Sequence, residues 1–210
     1  MSMKILFQGD SITDTGRNRE KDISLGSGYA LFVSGSLGLT FPGEHEFLNR
    51  GISGNRVVDV YARIKSDIIN LAPDFMSILI GVNDVWHEFE ESPNGVDAEK
   101  YYRVYDMLLE EVTTALPKIK IMILEPFCLK GNGTEAHWET FRSEVEKRAA
   151  MAKKLAAKYN LPFVPLQAGF DALAQQAPAS HWLRDGVHPS AAGHAYIAQQ
   201  WQNTFAELMK

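Results

Sequence analysis

Cysteine is almost missing from the 210 residues, with Cys128 standing alone. That excludes an intramolecular disulfide and any paired-cysteine zinc or redox site. Its neighbours Pro126, Phe127 and Leu129 make it read as a packed small hydrophobe rather than a nucleophile. Long apolar runs are missing too. Nothing approaches the ~20 apolar residues of a membrane span. Only five residues separate Lys4 from Asp10, short of the roughly 7–15 of a signal-peptide core. The expectation is a cytoplasmic protein with no membrane partner. Positive charge is not in excess: 21 bases face 26 acids, a net charge of -5. A phosphate-backbone binder normally carries a basic footprint, so nucleic acid is not an expected partner. Neither a Walker A nor a Gly-x-Gly-x-x-Gly motif occurs, which leaves nucleotide binding without a handle. A Gly-x-Ser-x-Gly elbow is also absent, which argues against an α/β-hydrolase.

What the chain does contain is alternation. Short apolar runs at residues 4–9, 46–49, 74–80, 120–125 and 162–166 have the length of buried parallel strands. Between them, apolar residues recur at three and four. One such series is Val57, Val60, Tyr61, Ile64, Ile68 and Leu71; a second is Tyr101, Val104, Tyr105, Leu108 and Val112. Two more run from Trp138 to Tyr159 and from Ala191 to Leu208. Strands alternating with helices of this length predict right-handed βαβ units. The reading is an α/β fold, a three-layer α/β/α sandwich with a five-stranded parallel sheet, residues 1–210 forming a single domain.

Open parallel sheets carry ligands at the carboxyl ends of their strands. Four segments fall there or just before the last helix: Gly9-Asp10-Ser11-Ile12-Thr13, Arg50-Gly51-Ile52-Ser53-Gly54-Asn55, Gly81-Val82-Asn83-Asp84 and Asp185-Gly186-Val187-His188-Pro189. Ser11 reads either as a helix cap or as an exposed nucleophile at a positive helix end. A serine nucleophile needs a histidine base held by a carboxylate. Asp185 and His188 are close enough for one turn to join them, and Pro189 keeps His188 out of a helix. Ser190 can then cap the last helix. Gly54 and Asn83, each alone a turn residue, could together supply donors to an oxyanion.

These four blocks, in this order, resemble those of the SGNH hydrolases, also called GDSL-type esterases. The resemblance spans residues 9 to 189. It implies the flavodoxin-like SGNH hydrolase fold, Ser11 as nucleophile, His188 as base and Asp185 as its orienter. It further implies an oxyanion hole of the Ser11 amide, the Gly54 amide and the Asn83 side chain. The flanking Asp14-Thr15-Gly16-Arg17, Gly26-Ser27-Gly28-Tyr29, Val85-Trp86 and Ser190-Ala191-Ala192-Gly193-His194 are similar to the intracellular serine acetylxylan esterases. That similarity implies deacetylation of xylo-oligosaccharides or another short acyl ester, no metal or cofactor, and a homo-oligomer.

Other residues stay open at this point. Asp10 reads as a brace of the first turn or a substrate contact, and Asp84 as a turn residue. Arg17 reads as substrate contact or loop brace, Trp86 as core or sugar-stacking wall, and His194 as packed on the last helix. Three competing functions remain. A metal phosphoesterase could use Asp10, Asp14, Asn83, Asp84 and His188, although histidines at the strand ends are few. A non-catalytic binding domain could use the same fold. A lysophospholipase or thioesterase would want a long apolar acyl groove that no loop obviously supplies.

Overall fold

The computed structural model describes residues 2–209. Five parallel strands, β1 (Met3–Gly9), β2 (His45–Asn49), β3 (Phe75–Leu79), β4 (Lys120–Leu124) and β5 (Phe163–Val164), form one sheet in the order β2-β1-β3-β4-β5. Ile5 pairs with Phe47 on one side and Phe75 on the other, so β1 is the strand about which the chain winds in both directions. That is the switch point at which an open sheet leaves a crevice.

The strands are apolar on both faces because both are covered. Ile5, Phe7, Phe75, Leu79, Met122 and Leu124 face α2 (Tyr29–Thr40), α8 (Gln167–Leu173) and α10 (Ala191–Leu208). Their neighbours Leu6, Met76, Ile78, Ile121 and Ile123 face α3 (Val57–Ala62), α6 (Ala98–Ala115) and α7 (Trp138–Lys158). The predicted three layers and five parallel strands are thus present, with the short helices α5 (Val82–Trp86) following β3 and α9 (Ala179–Trp182) preceding α10. The described residues include no helix long and apolar enough to cross a membrane.

Departures from the sequence expectation include two helical segments. The period from Val57 to Leu71 is not one helix. It breaks at Arg63 into α3, α4 (Ile64–Asp67) and a 3-10 turn (Ile69–Leu71). Val57, Val60, Ile64 and Ile68 still reach the same core, so the apolar spacing survives the break. The second is α2, which the apolar spacing did not predict. Its Gly35 and Gly38 weaken helix propensity, and burial of Tyr29, Ala30, Val33 and Leu37 outweighs it.

Candidate active site

The loops after β1, β2 and β3 and the turn before α10 converge on one cavity of about 600 Å³, lined by Ser11, Gly54, Asn83, Trp86, Arg184 and His188 among others. Ser11 opens α1 (Ser11–Asp14), a single turn whose cap is Asp10: its carboxylate accepts from the Ile12 N–H at 2.9 Å. As first residue of that turn, Ser11 keeps an amide with no partner inside the helix.

The last block is a closed turn. Leu183 and Pro189 form an antiparallel bridge, and the Arg184 N–H donates to the His188 carbonyl at 2.8 Å. Inside it, Asp185 Oδ1 accepts from the backbone N–H of Val187 and of His188 at 2.9 and 2.8 Å. The His188 Nδ1–H then donates to Asp185 Oδ2 at 2.7 Å. An imidazole that donates from Nδ1 presents Nε2 as an acceptor. Nε2 lies 2.9 Å from Ser11 Oγ. Serine, histidine and aspartate therefore form one continuous hydrogen-bonded chain ending at the cavity.

The electrostatics follow from those contacts. Partial burial would raise Asp185, but the His188 ring and the two backbone N–H groups outweigh it and hold the carboxyl at about 2. The Asp185 hydrogen bond lifts His188 above its ordinary value against partial burial, helped by the charges of Asp185 and Asp10. Burial drives His194 down to about 4, so it is neutral. Its Nδ1 accepts the Tyr29 N–H at 3.2 Å, placing it in the packed role expected while its edge lines the cavity.

Gly54 stands at φ +81°, a left-handed conformation that favours glycine, with open space where a Cβ would go. Asn83 is 7% exposed, and its Nδ2 donates to the Asn55 carbonyl at 3.1 Å, which fixes the amide beside the cavity. Trp86 is half-buried, its ring 5.7 Å from that of His188 and edge-on to Phe141. Trp86 thus packs against Phe141 and also lines the cavity.

Two residues read as either substrate contact or brace are packed as braces. Asp10 is 1% exposed beneath the site, and Arg17 is spent on the Gly51 carbonyl, to which its Nε donates at 2.9 Å. Neither lines the cavity. Burial pushes the Asp10 carboxyl up to about 7 despite the Ile12 N–H.

Sequence reasoning also missed a clamp that holds the second block on the first. Asn49 donates through Nδ2 to the carbonyls of Thr13 and Leu25 and accepts the Gly51 N–H. Asp14 Oδ2 accepts from the Ser53 N–H, the Ser53 hydroxyl and Arg19. Arg63 reaches Gln8, the Gly9 carbonyl, Arg50, Asn55 and Asp67 together. The bonds of Asn49 to Thr13 and Leu25, of Asp14 to Ser53, and of Arg63 to Gln8 and Gly9 join residues 24 to 55 positions apart, and no local pattern announces them.

Residues 7–196 match the GDSL-like Lipase/Acylhydrolase family. The chain belongs to this family. It is 36% identical over 203 residues to an acetylxylan esterase of Geobacillus stearothermophilus, covering 93% of this chain and 90% of that protein. The crystal structure of Axe2, an acetylxylan esterase from the same organism, superposes with a TM-score of 0.86 at 34% identity, over 96% and 93% of the two chains. A GDSL-like lipase structure from Parabacteroides merdae gives 0.90 at 37% identity, over 97% and 95%. Solved catalytic mutants of Axe2 replace a serine, an aspartate and a histidine, the last two three positions apart. Another variant replaces the tryptophan immediately before that aspartate. This member of the family is accordingly a carboxylic ester hydrolase with an SGNH fold.

Proposed function

We propose that this hydrolase is a serine acetyl-esterase acting on acetylated xylo-oligosaccharides or related carbohydrates, by way of Ser11, His188 and Asp185 in one domain. The observation that carries the reading is the hydrogen-bonded chain from Ser11 Oγ through His188 to Asp185. Its spacing of aspartate and histidine matches that of the Axe2 catalytic mutants.

The chemistry is a two-step acyl transfer. His188 Nε2 takes the Ser11 proton as Oγ attacks the ester carbonyl, and Asp185 steadies the imidazolium that forms. The Ser11 amide, the Gly54 amide and the Asn83 side chain receive the developing oxyanion. The C–O bond to the alcohol then breaks, and the alcohol leaves with the proton from His188. Water, deprotonated by the same nitrogen, attacks the acyl-enzyme; the acid departs and the proton returns to Ser11. The charged and polar side chains of the lining favour an ester with a polar alcohol part. Asn83, Glu90, Arg184 and three histidines give a polar wall rather than the apolar groove of a lysophospholipase or thioesterase.

The test is turnover of p-nitrophenyl esters from acetate to palmitate beside acetylated xylo-oligomers, with labelling by a serine-directed phosphonate. Acetate preference, release from the oligomers and labelling at Ser11 are expected. Palmitate preference would move the reading to the lipolytic alternative. Absence of labelling would remove the nucleophile and leave the phosphoesterase or binding-domain readings.

A further inference from the structure

One side chain of the cavity has no part in the acyl transfer. Arg184 sits one residue before Asp185, and its backbone is pinned by the 2.8 Å bond to the His188 carbonyl. Its side chain is exposed on the cavity lining. Among the described residues it has no carboxylate or carbonyl partner. The chain has nine arginines, and Arg17, Arg19, Arg50, Arg56, Arg63, Arg142 and Arg148 all hold one. The other exception, Arg103, lies on the exposed side of α6 away from the cavity.

Arg184 lines the same cavity as His188 and His194, and its charge is felt at both. The acidic residue of the lining, Glu90, makes no ion pair with Arg184 among the described residues. Ser11, Gly54 and Asn83, which the acetyl-esterase reading sets around the acyl group, line the same cavity as Arg184, so Arg184 is placed to meet the rest of the ester. In Axe2 the residue before the aspartate is an aromatic tryptophan. A guanidinium fork matches a carboxylate, with two parallel N–H···O bonds.

Resting on the acetyl-esterase reading, we propose that Arg184 is a specificity-determining residue that receives a carboxylate on the alcohol part of the ester. The substrate class is then an acetylated carbohydrate that carries a uronic acid. Such a pairing at a solvent-exposed rim has a modest strength and is screened by salt.

The experiment compares acetate release from the acetylated methyl glucuronoside and from its neutral uronamide, which has nearly the same shape. For the native chain, kcat/KM is expected to favour the acid by about three- to tenfold at low ionic strength, within the range for exposed to bidentate pairs. The preference should shrink at high ionic strength. In Arg184→Gln the ratio should fall close to one at both ionic strengths, and Arg184→Lys should restore part of it. A native ratio at or below one, or an unchanged ratio in Arg184→Gln, overturns the assignment. Release from neither sugar, with p-nitrophenyl acetate still hydrolysed, overturns instead the carbohydrate reading on which it rests.

Discussion

Asn83 offers the sharpest separation of a catalytic from a merely structural role. One N–H of its amide is committed to the Asn55 carbonyl at 3.1 Å. The second remains for an oxyanion at the cavity. Truncation in Asn83→Ala removes both. Loss of the structural bond costs about 0.5–1.5 kcal/mol, since it is a neutral pair and water from the adjoining cavity can replace the amide. For a chain of this size that is a fall in Tm of about 1–5 °C. Loss of an oxyanion donor costs about 3–4 kcal/mol in the transition state, or on the order of 10²–10³ in kcat, with little change in KM. The two effects therefore differ in kind as well as in size. The assay is kcat and KM on an acetate ester, referred to the folded fraction from a melting curve. Asn83→Asp keeps the side chain's size but replaces a donor with a carboxylate, and should be at least as slow. A folded Asn83→Ala enzyme with kcat within about threefold of native would refute the oxyanion assignment, because no donor of that class is so cheap to lose.

Three further outcomes follow from the same geometry. Ser11→Ala and His188→Ala should each remove nearly all turnover, and the double variant should be scarcely worse than either, because the chain of residues acts as a unit; survival of about a tenth of the native rate in Ser11→Ala would sink the nucleophile. Turnover should rise with pH, since His188 must be neutral to accept a proton, and the midpoint should lie above an ordinary imidazole because Asp185 favours the charged ring. Asp185→Asn should lower both midpoint and rate in a pH–rate profile, and a native profile flat through the imidazole range would count against the pair. Gly51→Ala places a Cβ 2.4 Å from the Asp14 nitrogen and 2.7 Å from the Thr13 carbonyl carbon; both are backbone, so overpacking should cost about 1–3 kcal/mol in urea unfolding, and an unchanged midpoint would mean that the clamp between the first two blocks is soft.

The sheet was legible in the sequence because buried parallel strands are continuous apolar runs, and each predicted run contains an observed strand core. Length was less legible. The fifth run shrinks to Phe163–Val164, since this edge strand pairs only with Ile123 and Leu124. The break at Arg63 left no local mark, because the apolar residues on both sides face one core. The contact of Ser11 with His188 and Asp185 was legible as a juxtaposition, because a serine just past a strand and an Asp-x-x-His before the last helix are residue types that acyl transfer uses together. Arg17 could not be settled, because its partner, the Gly51 carbonyl, is a backbone atom 34 positions away. Asn49 looked like the end of a strand, and only the folded chain shows its amide joining two loops. Residues that perform chemistry advertise themselves by type; residues that hold a loop in place are known by their partners.

The buried carboxylates beneath the site give stability and activity opposite responses to pH. Asp84 is wholly buried, its two oxygens accepting the Val57 N–H at 3.1 and 3.2 Å, and burial pushes its carboxyl up to about 7 despite that bond and the charge of Arg148. A folded-state value raised this far means that the native chain holds a proton which the unfolded chain has already lost. Stability from this group is complete below the ordinary value of 3.8 and is lost as pH rises toward about 7. Asp10 acts in the same direction. So does His188, whose raised value stabilises the fold below the ordinary imidazole range and ceases to do so above its folded value. Asp185 acts oppositely, but its contribution is lost only as pH falls toward about 2. The fold should thus be most stable in mild acid, whereas turnover requires the neutral His188 of higher pH. Asp84→Asn removes the ionisation while keeping an oxygen for the Val57 N–H. For a fully buried group displaced from 3.8 to about 7, the upper bound on the relief is roughly 4 kcal/mol. The variant's Tm should therefore gain on the native value between pH 5 and pH 8 by several degrees. Melting curves at the two pH values decide it: a constant gap, or a native chain that gains on the variant toward pH 8, would show that Asp84 is ionised in the folded state at little cost.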